Sequence, residues 1–321
     1  MGDAKEGRAT GSPWPTSDGV ETGPGGSMIQ PGRVSLVLAV AVLAVVTLTA
    51  VFAPQIVAIT GAPGPNAIDS SSLNAEYGAP TGPSGAHWFG VNQLGRDVFS
   101  RTMYGARASL AVALPAAALT LLIGMLAGLL AGYGRGWLDT VLSRSIEVFL
   151  VIPYLLLAIG VATSCSGPDG CIAGTLRPGI PLVIFVIVLA SWPWVARLTR
   201  NQTIVIAQTD YVAQAKVSGL STVRMLTTEI LPNLSRSIPA FVAVLLPQAI
   251  LAEAALSFLG VGLPTTTPSW GRQIAGGAGS FPETWWVMFF PGIALLATII
   301  AVVVVSDRLR VRIGSSREAV R

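Results

Sequence analysis

An all-α protein threading a membrane six times is the fold class this sequence predicts, and three observations predict it. Hydrophobic residues fill 52% of the 321 positions and charged residues only 11%. A soluble domain carries about 25% charged residues, so this chain cannot cover a globular surface. The apolar residues gather into six runs that reach, or nearly reach, the roughly 20 residues needed to cross a hydrocarbon core. Basic residues punctuate the runs instead of collecting on one face.

The elements follow in chain order. Residues 1–32 are rich in Gly, Pro, Ser and Thr without an apolar period, a composition that cannot offset its ordering entropy, and they are expected to form a disordered cytoplasmic tail. Met28 stands just ahead of the first run and is an alternative start to Met1. The first span is Val34 to Ile59, too long and too far from the start for the apolar region of a signal peptide. The second is Ala108 to Ala131. Arg144 and Glu147 intrude on the third, Val141 to Ala162. The fourth, Ile180 to Ala196, is short, with Trp192 and Trp194 as an interfacial anchor. The fifth is Ile238 to Leu259 and the sixth Trp285 to Val305. Together they make a membrane domain over residues 33–310, followed by a cytoplasmic tail at 311–321.

Charge sets the expected orientation, because cytoplasmic loops carry excess Lys and Arg. With both termini inside, the outer segments hold Arg96, Arg101, Arg107, Arg177 and Arg272, and the inner ones hold the other fifteen of the 20 basic residues. Cys165 and Cys171 then share an outer loop, T-S-C-S-G-P-D-G-C, where glycines and a proline permit a turn. A loop-closing disulfide is the expectation there, against two idle thiols.

The inventory excludes several functions. With Lys5 and Lys216 as the two lysines, neither following a glycine, there is no G-x-x-x-x-G-K-[ST] loop. One histidine, His87, and two cysteines supply neither an H-E-x-x-H helix nor a four-cysteine site, so no metal site is expected. No G-x-S-x-G elbow is present. Scattered arginines argue against nucleic acid as a partner.

The longest polar segment runs from Arg197 to Arg236 between the fourth and fifth spans. Tyr211 to Ser218 predicts a short helix and Gly219 a left-handed cap. Ser221 predicts the cap of a second helix containing Met225, Leu226 and Ile230, which Pro232 should break. The alternatives are a DNA-binding pair, disfavoured by its two basic residues and membrane tether, or a plain amphipathic connector.

These residues carry a resemblance. Y-V-A-Q-A-K-V-S-G-L-S from Tyr211, with I-L-P-N at Ile230 to Asn233, resembles the E-A-A loop of inner-membrane permeases of binding-protein-dependent ABC importers. H-W-F-G-V-N-Q-L-G-R-D-V-F-S-R at His87 to Arg101, Y-G-A-R-A-S-L from Tyr104, E-A-A-L-S-F-L-G-V-G-L and P-S-W-G at Pro268 to Gly271 look like the C-type permease of dipeptide and oligopeptide importers. The similarity covers about His87 to Asp307. It implies a type I importer permease, not itself an enzyme, that passes di- or oligopeptides inward. It also implies a second homologous permease as heterodimer partner, two ATPase domains holding ATP and Mg, and an extracytoplasmic substrate-binding protein, all in the inner membrane or at its surface, with no cofactor bound by this chain. The resemblance makes residues 201–233 the coupling loop. Its docking residues are Tyr211, Ala213, Ala215, Lys216, Gly219, Leu220 and Ser221, with Leu231, Pro232 and Asn233 closing the motif. The family's glutamate would fall at Ala213, and Gln214 replaces the alanine after it, which puts a salt-bridge mode of docking in doubt.

His87 to Ala108 reads as a short amphipathic helix, with Leu94, Val98 and Tyr104 on the membrane and Arg96, Asp97 and Arg101 facing water. Gly95, Arg96, Asp97, Arg101 and Trp270 are the expected docking residues for the external binding protein. His87 is read as a surface loop residue. Glu253, inside the fifth span, either lines the pathway or makes a packing hydrogen bond. Alternative readings are a permease for another delivered solute, a nickel chelate or haem, or a proton-coupled transporter, for which the spans hold few ionisable groups.

Overall fold

The computed structural model describes residues 33–73, 78–134, 136–165, 167 and 178–315. It is helical throughout, with isolated β-bridges at Leu73–Pro80 and Val91–Asp97 and no strand among the described residues. The elements are α1 (Arg33–Thr60), α2 (Val98–Tyr133), α3 (Trp137–Val151), α4 (Tyr154–Ser164), α5 (Ile180–Ala207), α6 (Asp210–Val217), α7 (Thr222–Arg224), a π-helical turn (Met225–Ile230), α8 (Leu231–Ser235), α9 (Ile238–Phe258), α10 (Trp270–Ala278) and α11 (Trp286–Ser315). The predicted tail at 1–32 and the last six residues of the tail predicted at 311–321 lie outside the described residues, and α11 continues to Ser315, past the predicted boundary at residue 310.

Five helices, α1, α2, α5, α9 and α11, are long and apolar enough to cross a membrane. The third predicted span is two helices, α3 and α4, bent by 92°. Pro153 causes the break: its ring disfavours helical backbone at the preceding residue, and Ile152 is extended at φ −75°, ψ 125°. Arg200 pins α3 to α5 through Asp139, with Nε and Nη2 donating to Oδ1 at 3.1 and 3.0 Å. Arg144, an intruder on that span, is exposed and pairs with Glu147 at 2.8 Å.

The bundle is organised around α2 and α5. Gly124, Gly128 and Gly132 fall four apart and form one stripe of α2. A methyl group on them would lie 2.5 Å from Val195 Cβ, 2.4 Å from the Ala196 carbonyl oxygen and 2.6 Å from Thr203 Cβ, respectively. The rising order of partners shows that the two helices run parallel with their backbones in contact, the arrangement that small residues allow between membrane helices. Two apolar clusters stack along this pair. One joins Val112, Ala116, Ala158, Val186 and Ile250; the other joins Met125, Leu129, Val195, Met225 and Ile230 near the α6 end. Outside them, apolar side chains such as Val37, Val45 and Leu122 are exposed, as a lipid-facing or subunit-facing surface requires.

Candidate functional site

The polar segment after α5 folds as a helical hairpin, and Gly219 is its pivot. In α6, Asp210 lies in the first turn and Lys216 in the last, each complementing the helix dipole. The Leu220 N–H donates to the Ala215 carbonyl at 3.3 Å and the Gly219 N–H to the Lys216 carbonyl at 3.1 Å, the paired bonds of a Schellman cap. Gly219 has φ +77° with no atom within 4 Å of a would-be Cβ. Glycine is therefore needed for the backbone conformation and not for room.

Val212 anchors the hairpin, buried against the cluster that contains Met225, Ile230 and Leu234. Asn233 ties the arms together, its Nδ2 donating to the Tyr211 hydroxyl at 3.0 Å and to the Glu229 carbonyl at 2.7 Å. All ten residues predicted for coupling thus sit on one element. Tyr211, Ala213, Lys216, Gly219, Ser221, Leu231 and Pro232 are exposed, while Ala215 and Leu220 lean into the core and Asn233 is partly buried.

Two local expectations fail. Pro232 does not break the second helix. The Leu231 N–H reaches back to the Leu226 carbonyl in the π-turn, and Pro232 falls in the first turn of α8, where its missing N–H is harmless. Ser221 holds the N-cap position without a side-chain capping bond. Val217 and Val223, two apolar residues outside the predicted docking set, stand 90% and 71% exposed beside the turn. Their signal was the presence of β-branched apolar residues in a polar loop.

The far end of the bundle differs from expectation. The segment from His87 to Asp97 is a looped cap, and the helix begins at Val98. Asp97, Arg101 and His87 are 1%, 4% and 5% exposed, so they face neither water nor membrane and cannot form a docking surface. Asp97 Oδ1 caps α2 by accepting from the Ser100 N–H at 2.7 Å, and its Oδ2 lies 2.9 Å from His87 Nδ1. His87 Nε2 is 2.8 Å from Ser72 Oγ and 3.4 Å from Asp69 Oδ2. The order carboxylate, imidazole, hydroxyl resembles a hydrolytic triad. Here the Ser72 hydroxyl donates to Asp69 at 2.7 Å and is buried, so the group fastens the Asp69 turn to the start of α2. Hydrogen bonds from Ser71 and then Ser72 hold the Asp69 carboxyl below the ordinary carboxylate range.

Gly95 is buried at φ +68°, where a Cβ would lie 2.7 Å from the Asp69 carbonyl oxygen. Trp270 is 1% exposed, with its indole N–H on the Thr102 carbonyl at 3.1 Å. It locks α10 to α2 and neither anchors at an interface nor presents itself outward. Of the residues expected to receive a binding protein, Arg96 alone is partly exposed. Glu253 is fully buried and accepts hydrogen bonds from Ser109 of α2 and Ser257 of its own helix, both at 2.7 Å. Cys165 is buried in the upper cluster with α4 and α5; Cys171 lies outside the described residues.

Comparison with known proteins gives a consistent picture. The family described as binding-protein-dependent transport system inner membrane component matches residues 124–316, which include the hairpin. A putative peptide transport system permease protein of Brucella suis is 35% identical over 278 residues, 87% of this chain and 85% of the relative. The dipeptide transport system permease protein DppC of Bacillus subtilis is 37% identical over 229 residues, 71% of this chain and 68% of its own. The oligopeptide permease protein OppC of the same organism is 32% identical over 269 residues, 84% and 81%. Among solved structures, the inward-facing methionine ABC transporter MetNI is similar in fold, with a TM-score of 0.55 at 18% identity over 66% of this chain and 96% of that one.

Proposed function

This chain belongs to the family of binding-protein-dependent transport system inner membrane components, and from that premise we propose that it is the permease subunit of an ATP-driven importer of di- and oligopeptides. It is a multi-pass inner-membrane protein. Its partners are a second, homologous permease, two ATPase domains that bind and hydrolyse ATP with Mg, and an extracytoplasmic binding protein that delivers the solute. The charge asymmetry of the loops supports an orientation with both termini in the cytoplasm.

The observation that carries this reading is the hairpin. A short helix ending in a glycine-dependent turn projects an exposed face of small and apolar side chains, Ala213, Val217 and Val223 among them, that no described residue covers. A complementary groove on an ATPase subunit would cover that face. The hairpin leaves α5 directly, Val212 shares an apolar cluster with Met125 and Leu129 of α2, and α5 itself packs on α2 along the glycine stripe. Movement of the ATPase groove therefore moves both helices as one body, the physical requirement of alternating access by rocking. The names of the relatives support peptide as solute.

Purification of this subunit from its native membrane in mild detergent should bring down an ATPase, a second permease and a binding protein. Recovery of the chain alone would refute the assembly. Gly219→Trp should abolish uptake of a labelled tripeptide at normal protein levels, because tryptophan is strained at φ +77° and its indole would project from the docking face. Gly219→Asn, which tolerates the left-handed conformation, should retain part of it. Normal uptake by Gly219→Trp would remove the coupling role. Cys165 and Cys171 close the outer loop as a disulfide, and thiol labelling of the protein unfolded in detergent should appear only after reduction; labelling without reduction would refute the disulfide.

A further inference from the structure

At the far end of the bundle, three arginines converge, and no described carboxylate forms an ion pair with them. Arg101 is 96% buried, and Arg96 and Arg272 lie within Coulombic reach of it. The nearby carboxylates are committed elsewhere: Asp97 to Ser100 and His87, Asp69 to Ser71 and Ser72, Glu253 to Ser109 and Ser257. Arg101 Nη1 donates only to neutral acceptors, the Pro65 carbonyl at 2.8 Å and Asn66 Oδ1 at 3.1 Å. Arg272 Nη2 likewise donates to the Leu263 and Gly260 carbonyls at 2.8 and 3.5 Å. The Nε atoms of all three are shut off from solvent with no acceptor.

Burying Arg101 beside two half-buried cations is unfavourable on two counts, lost hydration and mutual repulsion, and a bound anion would relieve both. Such an anion has room: Arg101 and Arg272 both line a cavity of about 300 Å³ between the starts of α2 and α10 and the end of α9, with Asn92, Ser257, Thr265 and Gln273 as further polar walls. The guanidinium fork matches a carboxylate in two parallel hydrogen bonds, and the cavity is the size of a small-ligand site.

We propose that this cavity is a carboxylate-binding site, held by Arg101 and Arg272, that receives the free C-terminal carboxylate of a short peptide entering from the binding protein. The solute assignment rests on the proposed function; the anion site rests on the arginines alone.

The test uses the purified permease and ATPase complex, without the binding protein, and saturation-transfer NMR with three probes: trialanine, trialanine amide and acetate. The expected result is that trialanine and acetate bind, the amide binds at least tenfold more weakly than trialanine, and Arg272→Gln removes the discrimination while Arg272→Lys restores part of it. Arg101 also holds Pro65 and Asn66, so Arg272 is the variant of choice should Arg101→Gln fail to fold. Equal binding of acid and amide, or discrimination that survives Arg272→Gln, overturns the site. Acetate binding lost in Arg272→Gln with no trialanine binding overturns the peptide while leaving the anion site. A companion titration of the same complex with its binding protein separates the two sources: loss of binding-protein affinity in Arg272→Gln, with trialanine binding kept, assigns the carboxylate to the binding protein and overturns the solute reading. Failure of the complex to take up any peptide in the presence of its binding protein, with acetate binding intact, refutes the proposed function and not the anion site.

Discussion

Replacing Gly128 by alanine adds one methyl group at the tightest point of the α2 and α5 contact. That methyl would lie 2.4 Å from the Ala196 carbonyl oxygen, 2.6 Å from Thr199 Cβ and 2.9 Å from the Arg200 nitrogen. Two of these atoms are backbone and the third is a Cβ, so no side-chain rotation relieves the clash. An ordinary contact lies near 3.4 Å, so the helices must part by about 1 Å, and overpacking of this kind costs about 1–3 kcal/mol. Gly160 of α4 supplies the control, because nothing lies within 4 Å of its would-be Cβ. Gly160→Ala should gain up to about 1 kcal/mol from helix propensity. Thermal unfolding of the detergent-solubilised protein, followed by fluorescence-detected size exclusion, should show Gly128→Ala losing several degrees and Gly160→Ala losing none. Equal midpoints for the two variants would refute the close-packed stripe.

Three further outcomes follow from the same geometry. Asp97→Ala removes the α2 cap and a partner of His87 together, and should destabilise the protein by about 1–3 kcal/mol in the same assay; Asp97→Asn, which retains an accepting oxygen for the cap, should recover part of that. Glu253→Leu strands the Ser109 and Ser257 hydroxyls at a cost of about 1–3 kcal/mol, whereas Glu253→Gln keeps an acceptor and should leave the KM for uptake unchanged; a large KM change in Glu253→Gln would mean the carboxylate meets solute. Because the native Asp69 carboxyl titrates below its unfolded value, its contribution is complete above about pH 4 and fades as the pH falls through the lower native value. Acidification of the protein should therefore loosen the 69–73 turn, read by hydrogen exchange, and Asp69→Asn should remove that part of the acid response.

How far the sequence carried the reader differed by element. Hydropathy located the apolar segments to within a few residues of α1 and α9, because crossing a membrane demands length and apolarity, both of which are local. The hairpin was legible for the same reason, since Gly219 and the spacing to Pro232 are local signals. The direction each helix faces was not, as every face of a membrane helix is apolar; yet the G-x-x-x-G-x-x-x-G run at Gly124 to Gly132 stood in the sequence and marks the buried stripe. The Ile152–Pro153 step likewise announced a break that averaging over a span smoothed away. The cap of the far end was beyond local reading. Asp97 and Arg101 look amphipathic in isolation, and only contacts with Asp69, Ser72, His87 and Pro65, brought from elsewhere in the chain, bury them.

The direct passage from α5 into α6, with only Gln208 and Thr209 between them, makes the pair a crank. A helix of 28 residues is about 42 Å long, so a tilt of about 5° pivoting at one end displaces the other by about 4 Å, roughly the width of a methyl group. Stiffened along its length by α2, this crank loses little of its throw to bending. Angular precision at the turn around Gly219 therefore sets positional precision a membrane's thickness away.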